Sequence, residues 1–304
     1  MTLHEDNEIF EQCLLATTDF MVLPDMGIAE KDYFVTYLLQ KIAEKQPNVV
    51  FKGGSSLSKC HKAISRFSED IDLNVNAEKA KLTEGQRKQL KQDIVEIISE
   101  SGFTLENPDQ IRSRRDFNRY MISYETGRPN SFLAPHVIVE TSVFIKSFPS
   151  ETMQVSSLVH DFLLATGSEG EIIKYGLEPF KVNVQSIERT FIDKVFALAD
   201  YYLDGNVENH SRHIYDLYKL YQRIDCNDSF IDLVKDVRKV RKPNRTCYSA
   251  QDGVNLPELL RKILSDDIYK SDYNRITTTL LFEDLPYSEA ITVIHMVLTD
   301  GCFE

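Results

Sequence analysis

The sequence has no long run of hydrophobic residues. Its apolar stretches fall well short of the roughly 18 residues that a membrane-spanning helix needs. The first residues, MTLHEDNEIFEQC, are acidic and lack the basic segment and apolar run of a secretory signal. These absences argue against a membrane span and a secretory signal. We therefore expect a cytoplasmic protein that has no membrane partner.

Cysteines are few and have no paired spacing. The chain of 304 residues contains five of them. An odd, scattered set is not typical of a disulfide framework or a zinc site. The five are Cys13, Cys60, Cys226, Cys247 and Cys302. We predict that they are reduced thiols.

Basic residues are outnumbered by acidic ones. The chain has 35 Lys and Arg against 47 Asp and Glu, a net charge of −12, which argues against a protein that coats nucleic acid indiscriminately. Two segments depart from this average, residues 112–119 (RSRRDFNR) and 235–245 (KDVRKVRKPNR). Charge runs are often solvated faces, but these two are the best candidates for binding a polyanion. The candidate contacts are Arg114, Arg115, Lys239, Arg241 and Lys242.

The most informative stretch is VVFKGGSSLSKCHKAISRFSEDIDLNV, residues 49–75. Its pattern predicts a strand over residues 49–52, a glycine turn, a short helix and a second strand that carries Asp70 and Asp72. Because a strand has a period of two, these two carboxylates project from the same face. Two neighbouring acids repel each other unless a divalent cation bridges them, and Mg²⁺ prefers carboxylate oxygens, water and substrate phosphates.

The glycine turn predicts a phosphate site. Gly53 and Gly54 let the backbone approach an anion closely because glycine has no Cβ. A helix that starts at Ser55 or Ser56 has unsatisfied amides and a positive dipole end, which favour a phosphate. Lys59 adds positive charge. Simpler interpretations stay open: the glycines form only a turn, and Asp-Ile-Asp-Leu is a half-exposed edge strand.

GGSSLSK followed by RFSEDIDL resembles the AbiEii/AbiGii-type nucleotidyltransferases, the toxins of type IV toxin–antitoxin and abortive-infection systems. That family belongs to the DNA-polymerase-β-like nucleotidyltransferase superfamily. The resemblance implies that the phosphates of an NTP substrate are bound by the turn and by nearby cations. These residues are Gly53, Gly54, Ser55, Lys59 and Arg66. For Arg66, anchoring of the strand is an equal alternative.

The resemblance also implies a magnesium site and catalytic residues further along the chain. Two Mg²⁺ ions would be held by Asp70, Asp72 and a third acid, for which Glu140 in HVIVETSVF is the matching position. A solvent-facing Glu140 is the alternative. ERTFIDKVFALAD resembles the family's lysine motif, with Lys194 at the matching position. SRHIYDLYKL resembles the Arg-Asp-hydrophobic-x-Asp-Leu motif, so that Asp216 joins the catalytic set.

His213 replaces the commoner acid of that last motif. In the sequence pattern, Lys194 and Asp216 lie off the apolar stripes of their helices, so we predict exposed faces for both. The resemblance covers roughly residues 49–222. It implies transfer of a nucleotide to RNA, the 3′ end of tRNA in characterised relatives, with release of pyrophosphate and inhibition of translation and growth. It also implies an antitoxin encoded nearby.

Periodicity and punctuation predict an α+β fold. Helices are expected before residue 49 and from Thr83 to about residue 100, strands over 117–124, 136–144 and 180–184, and a turn at residues 127–130. Residues 147–179 have no assignable pattern. Residues 1–185 are expected to form a mixed-sheet nucleotidyltransferase domain, and residues 186–304 a helical domain that closes the active-site cleft. In that domain Ser186 and Ser211 are the expected helix caps, and apolar spacing predicts further helices over residues 229–240, 256–264, 271–282 and 288–298.

Two other functions remain compatible with the sequence. The same site would also suit NTP-dependent modification of a protein hydroxyl or transfer of a γ-phosphate. A non-catalytic nucleotide-binding module is the other alternative.

Overall fold

The computed structural model describes residues 1–75, 82–126 and 133–304. These residues form two compact units. Unit 1 contains Met1–Ser55, Glu69–Phe144 and Glu151–Val184, and unit 2 contains Ser56–Ser68, Ile145–Ser150 and Gln185–Glu304. The domain boundary expected at residue 185 stays a prediction, and each unit is described by itself below.

Unit 1 is built on a seven-stranded mixed sheet within the described residues. Its strand order is β3-β4-β5-β2-β1-β7-β6. β1 pairs with β2 antiparallel and with β7 parallel, and β2 pairs with β5 parallel. The strands are β1 (Val49–Lys52), β2 (Asp70–Val75), β3 (Thr104–Leu105), β4 (Phe117–Ser123), β5 (His136–Ser142), β6 (Ser150–Val155) and β7 (Phe180–Gln185). The expected mixed sheet with packed helices is confirmed.

Helices pack on this sheet through apolar faces. α2 contacts β2 and β5, and it also packs against α1, α4 and α5. Thr83 caps α4 by accepting a hydrogen bond from the Gln86 amide, as its sequence position predicts. The helices are α1 (Asn7–Met21), α2 (Met26–Lys45), α3 (Gly53–Lys59), α4 (Glu84–Glu100), α5 (Leu158–Ala165) and α6 (Glu169–Tyr175). The last four residues of α3 belong to unit 2.

The stretch without an assignable pattern is largely regular. It contains β6, α5 and α6 in succession. These elements are short, so each offers too few periods for its pattern to be read from sequence. The turn expected at residues 127–130 lies outside the described residues.

Unit 2 is helical and has its own hydrophobic core. α7 begins after Ser186, whose side chain accepts from the Arg189 amide, so this predicted cap is confirmed. Ser211 precedes α8 but does not cap it, because its hydroxyl bonds Thr277 instead. The longer helices are α7 (Ile187–Asp204), α8 (Arg212–Tyr221), α9 (Asp228–Arg241) and α10 (Leu256–Asp266).

The helices in the last part of the chain are shorter and more interrupted than its periodicity predicts. The helix expected over residues 271–282 is divided into α11 (Lys270–Asp272), a π-helical turn (Tyr273–Thr277) and α12 (Thr278–Leu280). The helix expected over residues 288–298 is divided into α13 (Tyr287–Ala290) and α14 (Thr292–Asp300). No helix within the described residues has both the length and the apolar character needed to cross a membrane.

Two of the five cysteines are paired, which corrects the prediction of reduced thiols throughout. Cys226 and Cys302, 76 residues apart in sequence, form a disulfide with a Cα–Cα distance of 5.8 Å. Their spacing in the sequence gives no indication of this, because the pairing depends on helix packing at long range. Cys13, Cys60 and Cys247 are free and buried.

The prediction that Arg241 contacts RNA is wrong, because its side chain is buried inside unit 2. Its guanidinium donates to Asp193 Oδ1 at 3.0 Å and to Asp200 Oδ2 at 2.7 Å. It also lies 5.3 Å from the centre of the Phe196 ring. Removal of this charge would leave buried Asp200 without its cation, whereas Asp193 would keep its pair with Arg189.

The other predicted RNA contacts are on the surface. Lys239 and Lys242 are exposed and pair with Asp236 and Asp252. In unit 1, Arg114 is exposed and pairs with Glu84 at 2.9 Å. Arg115, also exposed, donates to a backbone carbonyl. Exposed ion pairs contribute little free energy and exchange partners easily, so RNA contact by these four residues stays a prediction.

We expect Arg241→Gln to lower the free energy of unfolding by about 3 kcal/mol, because breaking a buried ion pair leaves an uncompensated charge. Urea denaturation would measure the change. Lys235→Gln is the control, since Lys235 is an exposed residue of the same helix in a surface pair with Asp232; it should stay within about 0.5 kcal/mol of wild type. Equal midpoints for the two variants would contradict the buried network.

Candidate functional site

Strand register brings two predicted metal ligands together in unit 1. Asp72 of β2 is paired with Glu140 of β5. Asp70 lies two residues earlier on β2, opposite Ile138. Residues directly opposite each other in adjacent strands project from the same face of the sheet, so all three carboxylates share a face. The alternate residues of β2, including Ile71, are buried on the other face.

Gly53 lies directly against the Asp72 carboxylate. β1 and β2 pair Lys52 with Asp72, so the first residue of α3 emerges beside that acid. Gly53 has φ +76°, and an added Cβ would lie 2.9 Å from the Asp72 Cγ and overlap its Oδ2. The position therefore requires glycine both for its backbone conformation and for space.

The glycine-serine turn is helical two residues earlier than expected. α3 begins at Gly53 rather than at Ser55 or Ser56. Ser55 and Lys59 are buried, and Gly54 is half-buried. The structure thus brings Gly53 and the diacid strand together, as the sequence analysis expects of the turn, whereas phosphate binding by these residues stays a prediction.

Crowding of the carboxylates changes the acidity of Glu140. Burial, followed by the negative charges of Asp72 and Asp70, raises the pKa of Glu140 to about 7. Protonated Glu140 also forms a hydrogen bond with the Asp72 carboxylate. Only the charge of Arg119 acts in the opposite direction among the causes of this shift.

Arg119 is a site residue that the sequence analysis did not single out. β4 and β5 pair it with Glu140, and its Nε lies 3.7 Å from Glu140 Oε1. It belongs to the basic segment 112–119, whose sequence indicates its charge but not its neighbour. Finding the neighbour requires the register of β4 against β5, which no local pattern contains.

Lys31 is a second residue that local patterns miss. It is fully buried on α2, and its Nζ binds the Glu69 carboxylate and donates to the Ala134 carbonyl at 2.9 Å. Glu69 immediately precedes β2, and Ala134 lies two residues before β5. One buried ammonium therefore ties together the entries of the two strands that carry the acids.

The lysine and aspartate motifs meet inside unit 2. Asp216 of α8 accepts from Arg66 Nε at 2.6 Å and Nη2 at 2.7 Å, and from Lys194 Nζ at 2.6 Å. All three side chains are buried, so the expectation of exposed helix faces for Lys194 and Asp216 is wrong. Both residues lie off the apolar stripe because they pair with each other, not because they face solvent.

The geometry around Arg66 favours its anchoring alternative. Its guanidinium forms a two-pronged pair with Asp216 and also donates to the Phe67 carbonyl. Its backbone forms a bridge with Leu281, and the Ser65 amide donates to the Tyr215 hydroxyl at 2.9 Å. These bonds fix the segment immediately before the diacid strand.

The charges of this cluster shift one another's pKa. Burial opposes ionisation of Asp216, but Arg66 and Lys194 outweigh it and hold the pKa of that carboxyl below its ordinary value. Burial lowers the pKa of Lys194, although Asp216 raises it. Burial and the charges of Lys194 and Arg212 keep the pKa of His213 well below its ordinary value. His213 is therefore neutral and does not supply the negative charge that an acid at this position of the motif would carry.

Within residues 1–75, 82–126 and 133–304, no group of three or more His, Cys, Asp or Glu side chains is arranged as it stands to hold a metal ion. The chemistry of the donors nevertheless suits magnesium, which binds through one or two carboxylates together with water and substrate phosphates. Asp72 and Glu140 supply two such carboxylates in register. A divalent cation would also relieve the repulsion that raises the pKa of Glu140.

The chain matches a known protein family. Residues 37–293 match the family described as nucleotidyl transferase AbiEii toxin, type IV toxin–antitoxin system. The match spans well over half of the chain and includes Gly53, Asp70, Asp72, Glu140, Lys194 and Asp216, whereas Lys31 lies before its first residue. A comparison with curated proteins finds no relative.

We expect Gly53→Ala to lower the free energy of unfolding by at least about 2 kcal/mol, because alanine would adopt a left-handed conformation and overlap the Asp72 carboxylate. Urea denaturation provides the measurement. Gly170→Ala is the matched control, since nothing lies within 4 Å of a Cβ at that position and its φ is not positive. A loss as small in Gly53→Ala as in the control would exclude the close contact.

We expect Glu140→Gln to stabilise the metal-free protein at pH 8 by about 1–2 kcal/mol. A folded pKa of about 7 against an ordinary 4.5 means that wild type loses stability as pH rises through that range, whereas glutamine does not titrate. Denaturation with EDTA at pH 4.5, 6 and 8 would follow the difference, which should widen as pH rises. A difference that narrows with pH would contradict the carboxylate crowding.

Proposed function

Because the chain belongs to the AbiEii nucleotidyltransferase toxin family of type IV toxin–antitoxin systems, we propose that it transfers a nucleotide from an NTP to an RNA acceptor. The acceptor would be the 3′ end of a tRNA, and the modification would inhibit translation and growth. The observation that carries this proposal is the placement of Asp72 against Gly53 and in register with Glu140. That arrangement places two acids next to a glycine turn in unit 1.

In this proposal Asp70, Asp72 and Glu140 hold two Mg²⁺ ions. The ions would neutralise the triphosphate and lower the pKa of the attacking hydroxyl. The acceptor oxygen forms a bond with the α-phosphorus, and the bond to the β-phosphate breaks to release pyrophosphate. The protein contributes mostly by positioning and by stabilising charge.

The turn would bind the β- and γ-phosphates. The space that a Cβ at Gly53 would fill is taken by the Asp72 carboxylate. We therefore assign phosphate contact to the amides of Gly54 and Ser55, which follow it in α3. Buried Lys59 would add charge from the end of α3. Deletion of a single donor of this kind weakens transition-state stabilisation, so substitution of Lys59 is expected to lower the rate of transfer.

Asp216 would act as a positioning residue. It holds Lys194 and Arg66 through three short charged hydrogen bonds, which fix the two cations in one orientation. We assign phosphate contact to Lys194 and anchoring to Arg66. His213, kept neutral by burial and nearby cations, has no proton-transfer role in this proposal.

RNA contact is proposed for four exposed basic residues of the two units. They are Arg114, Arg115, Lys239 and Lys242. Membership of a type IV family also implies an antitoxin partner. The structure gives the antitoxin no particular surface among the described residues.

We expect Asp72→Asn to reduce transfer of α-labelled nucleotide to bulk tRNA on the order of 10²-fold or more, because a charge that orients the reacting phosphate is lost. EDTA should have the same effect on wild type. Asp19→Asn is the control, since Asp19 is an exposed acid of unit 1. Retained label from γ-labelled NTP would instead indicate phosphate transfer, and growth inhibition by Asp72→Asn equal to wild type would exclude transfer chemistry as the toxic activity.

A further inference from the structure

Unit 2 contains a cavity that the proposed reaction does not use. Its volume is about 500 Å³, within the range of small-ligand sites. Arg238 of α9 and Arg261 of α10 line it, with residues 253–257, Phe303 and Glu304. It therefore lies where residues 303 and 304 meet the start of α10 and the last turn of α9.

The two arginines are the cations that the neighbouring acids leave unpaired. α9 and α10 carry six basic side chains, and four of them form ion pairs: Lys235 with Asp232, Lys239 with Asp236, Arg241 with Asp193 and Asp200, and Lys262 with Glu258. Arg238 and Arg261 form no ion pair with any acid of the described residues. The cavity is thus lined by the basic residue of each helix that has no ion pair.

Arg238 is held in place without an anion. It is half-buried, and its guanidinium lies 5.7 Å from the centre of the Phe196 ring, a distance at which the ring attracts a cation. Burial lowers its pKa because it disfavours the charged form of the guanidinium. An anion beside Arg238 would stabilise that charged form. A fixed, desolvated guanidinium is well suited to bind phosphate because its planar fork matches the phosphate oxygens.

The start of α10 adds a weaker attraction. Asn255 caps this eleven-residue helix by accepting from the Glu258 amide, and Pro257 has no amide proton to donate. The helix dipole remains favourable to an anion, but few backbone donors are available. The arginines must therefore supply most of the binding.

We propose that this cavity binds a backbone phosphate of the RNA acceptor. The inference rests on the proposed function for the identity of the polymer. The lining residues include two arginines and one acid, Glu304. Two cations compensate the single negative charge of a phosphodiester more fully than the multiple charges of a free triphosphate. Phosphate contacts of this kind set the position of a nucleic acid without reading its sequence.

The test is binding of fluorescein-labelled bulk tRNA to the full chain without NTP, by anisotropy over a series of salt concentrations. Arg261→Gln and Arg238→Gln should each weaken binding about 5-fold and reduce the slope of log K against log salt by about 1. Lys262→Gln and Lys235→Gln are the matched controls, because each removes one charge from the same helix at a paired position. Glu304→Gln should strengthen binding about 2-fold, since it removes the opposing charge.

Equal affinity and salt slope for the double arginine variant and the double lysine control would overturn the proposal, as would absence of tRNA binding by wild type. Thermal unfolding of each variant shows whether it is folded. If Arg238→Gln does not fold, exposed Arg261 decides the question alone. Metal-free ATP is the second probe: weaker ATP binding by the arginine variants with unchanged tRNA binding would assign the site to free nucleotide and overturn the RNA assignment.

The result is independent of the transfer assay. Loss of tRNA binding by the arginine variants supports the phosphate site even if wild type transfers no nucleotide. Conversely, normal tRNA binding by these variants overturns the site while transfer by wild type stands.

Discussion

Crowding of carboxylates against a backbone without a side chain is the constraint on which the unit 1 site depends. Asp72 is fixed on one side by Gly53 and on the other by Glu140. Like charges so arranged raise the free energy of the folded state, and the pKa of Glu140 is raised first by burial and then by this repulsion. The site is thus arranged to gain stability when positive charge enters it, which is the property that a metal-dependent phosphate chemistry needs.

Unit 2 uses the opposite principle, because its buried charges are compensated. α7 supplies Asp193 and Lys194 as neighbours in sequence, and each enters a different network: Asp193 pairs with Arg189 and Arg241, and Lys194 pairs with Asp216. Buried pairs of this kind are destabilising when broken and contribute little when replaced as a whole. Their effect is to fix helix orientation, so the lysine motif is at once part of the core and part of the candidate site.

Local signals in the sequence predict local structure well. The strand at residues 49–52, the diacid strand and the caps at Thr83 and Ser186 follow from glycine, serine and threonine chemistry within a few residues. The short elements between residues 147 and 179 are not predicted, because each is too short to show a periodic pattern of apolar residues.

Contacts at long range could not be read from one sequence. The register of β2 against β5, the salt bridge from Arg119 and the disulfide at Cys226 all join residues far apart in the chain. Runs of basic residues do not show where their side chains lie, for a related reason. Charge alone does not distinguish Arg241, which is buried among acids, from Arg238, which lines a cavity, although both flank the same phenylalanine ring.

The path of the chain constrains the spacing between the glycine turn and the diacid strand. Residues 56–68, which separate them, fold as part of unit 2. Leu57 and Ala63 belong to its hydrophobic core, and Arg66 pairs with Asp216 inside it. Such a segment cannot change length as a surface loop can, because insertion would displace core residues and a buried charge. The spacing between the glycine turn and the diacid strand is therefore constrained by the packing of unit 2 as well as by the chemistry of the candidate site.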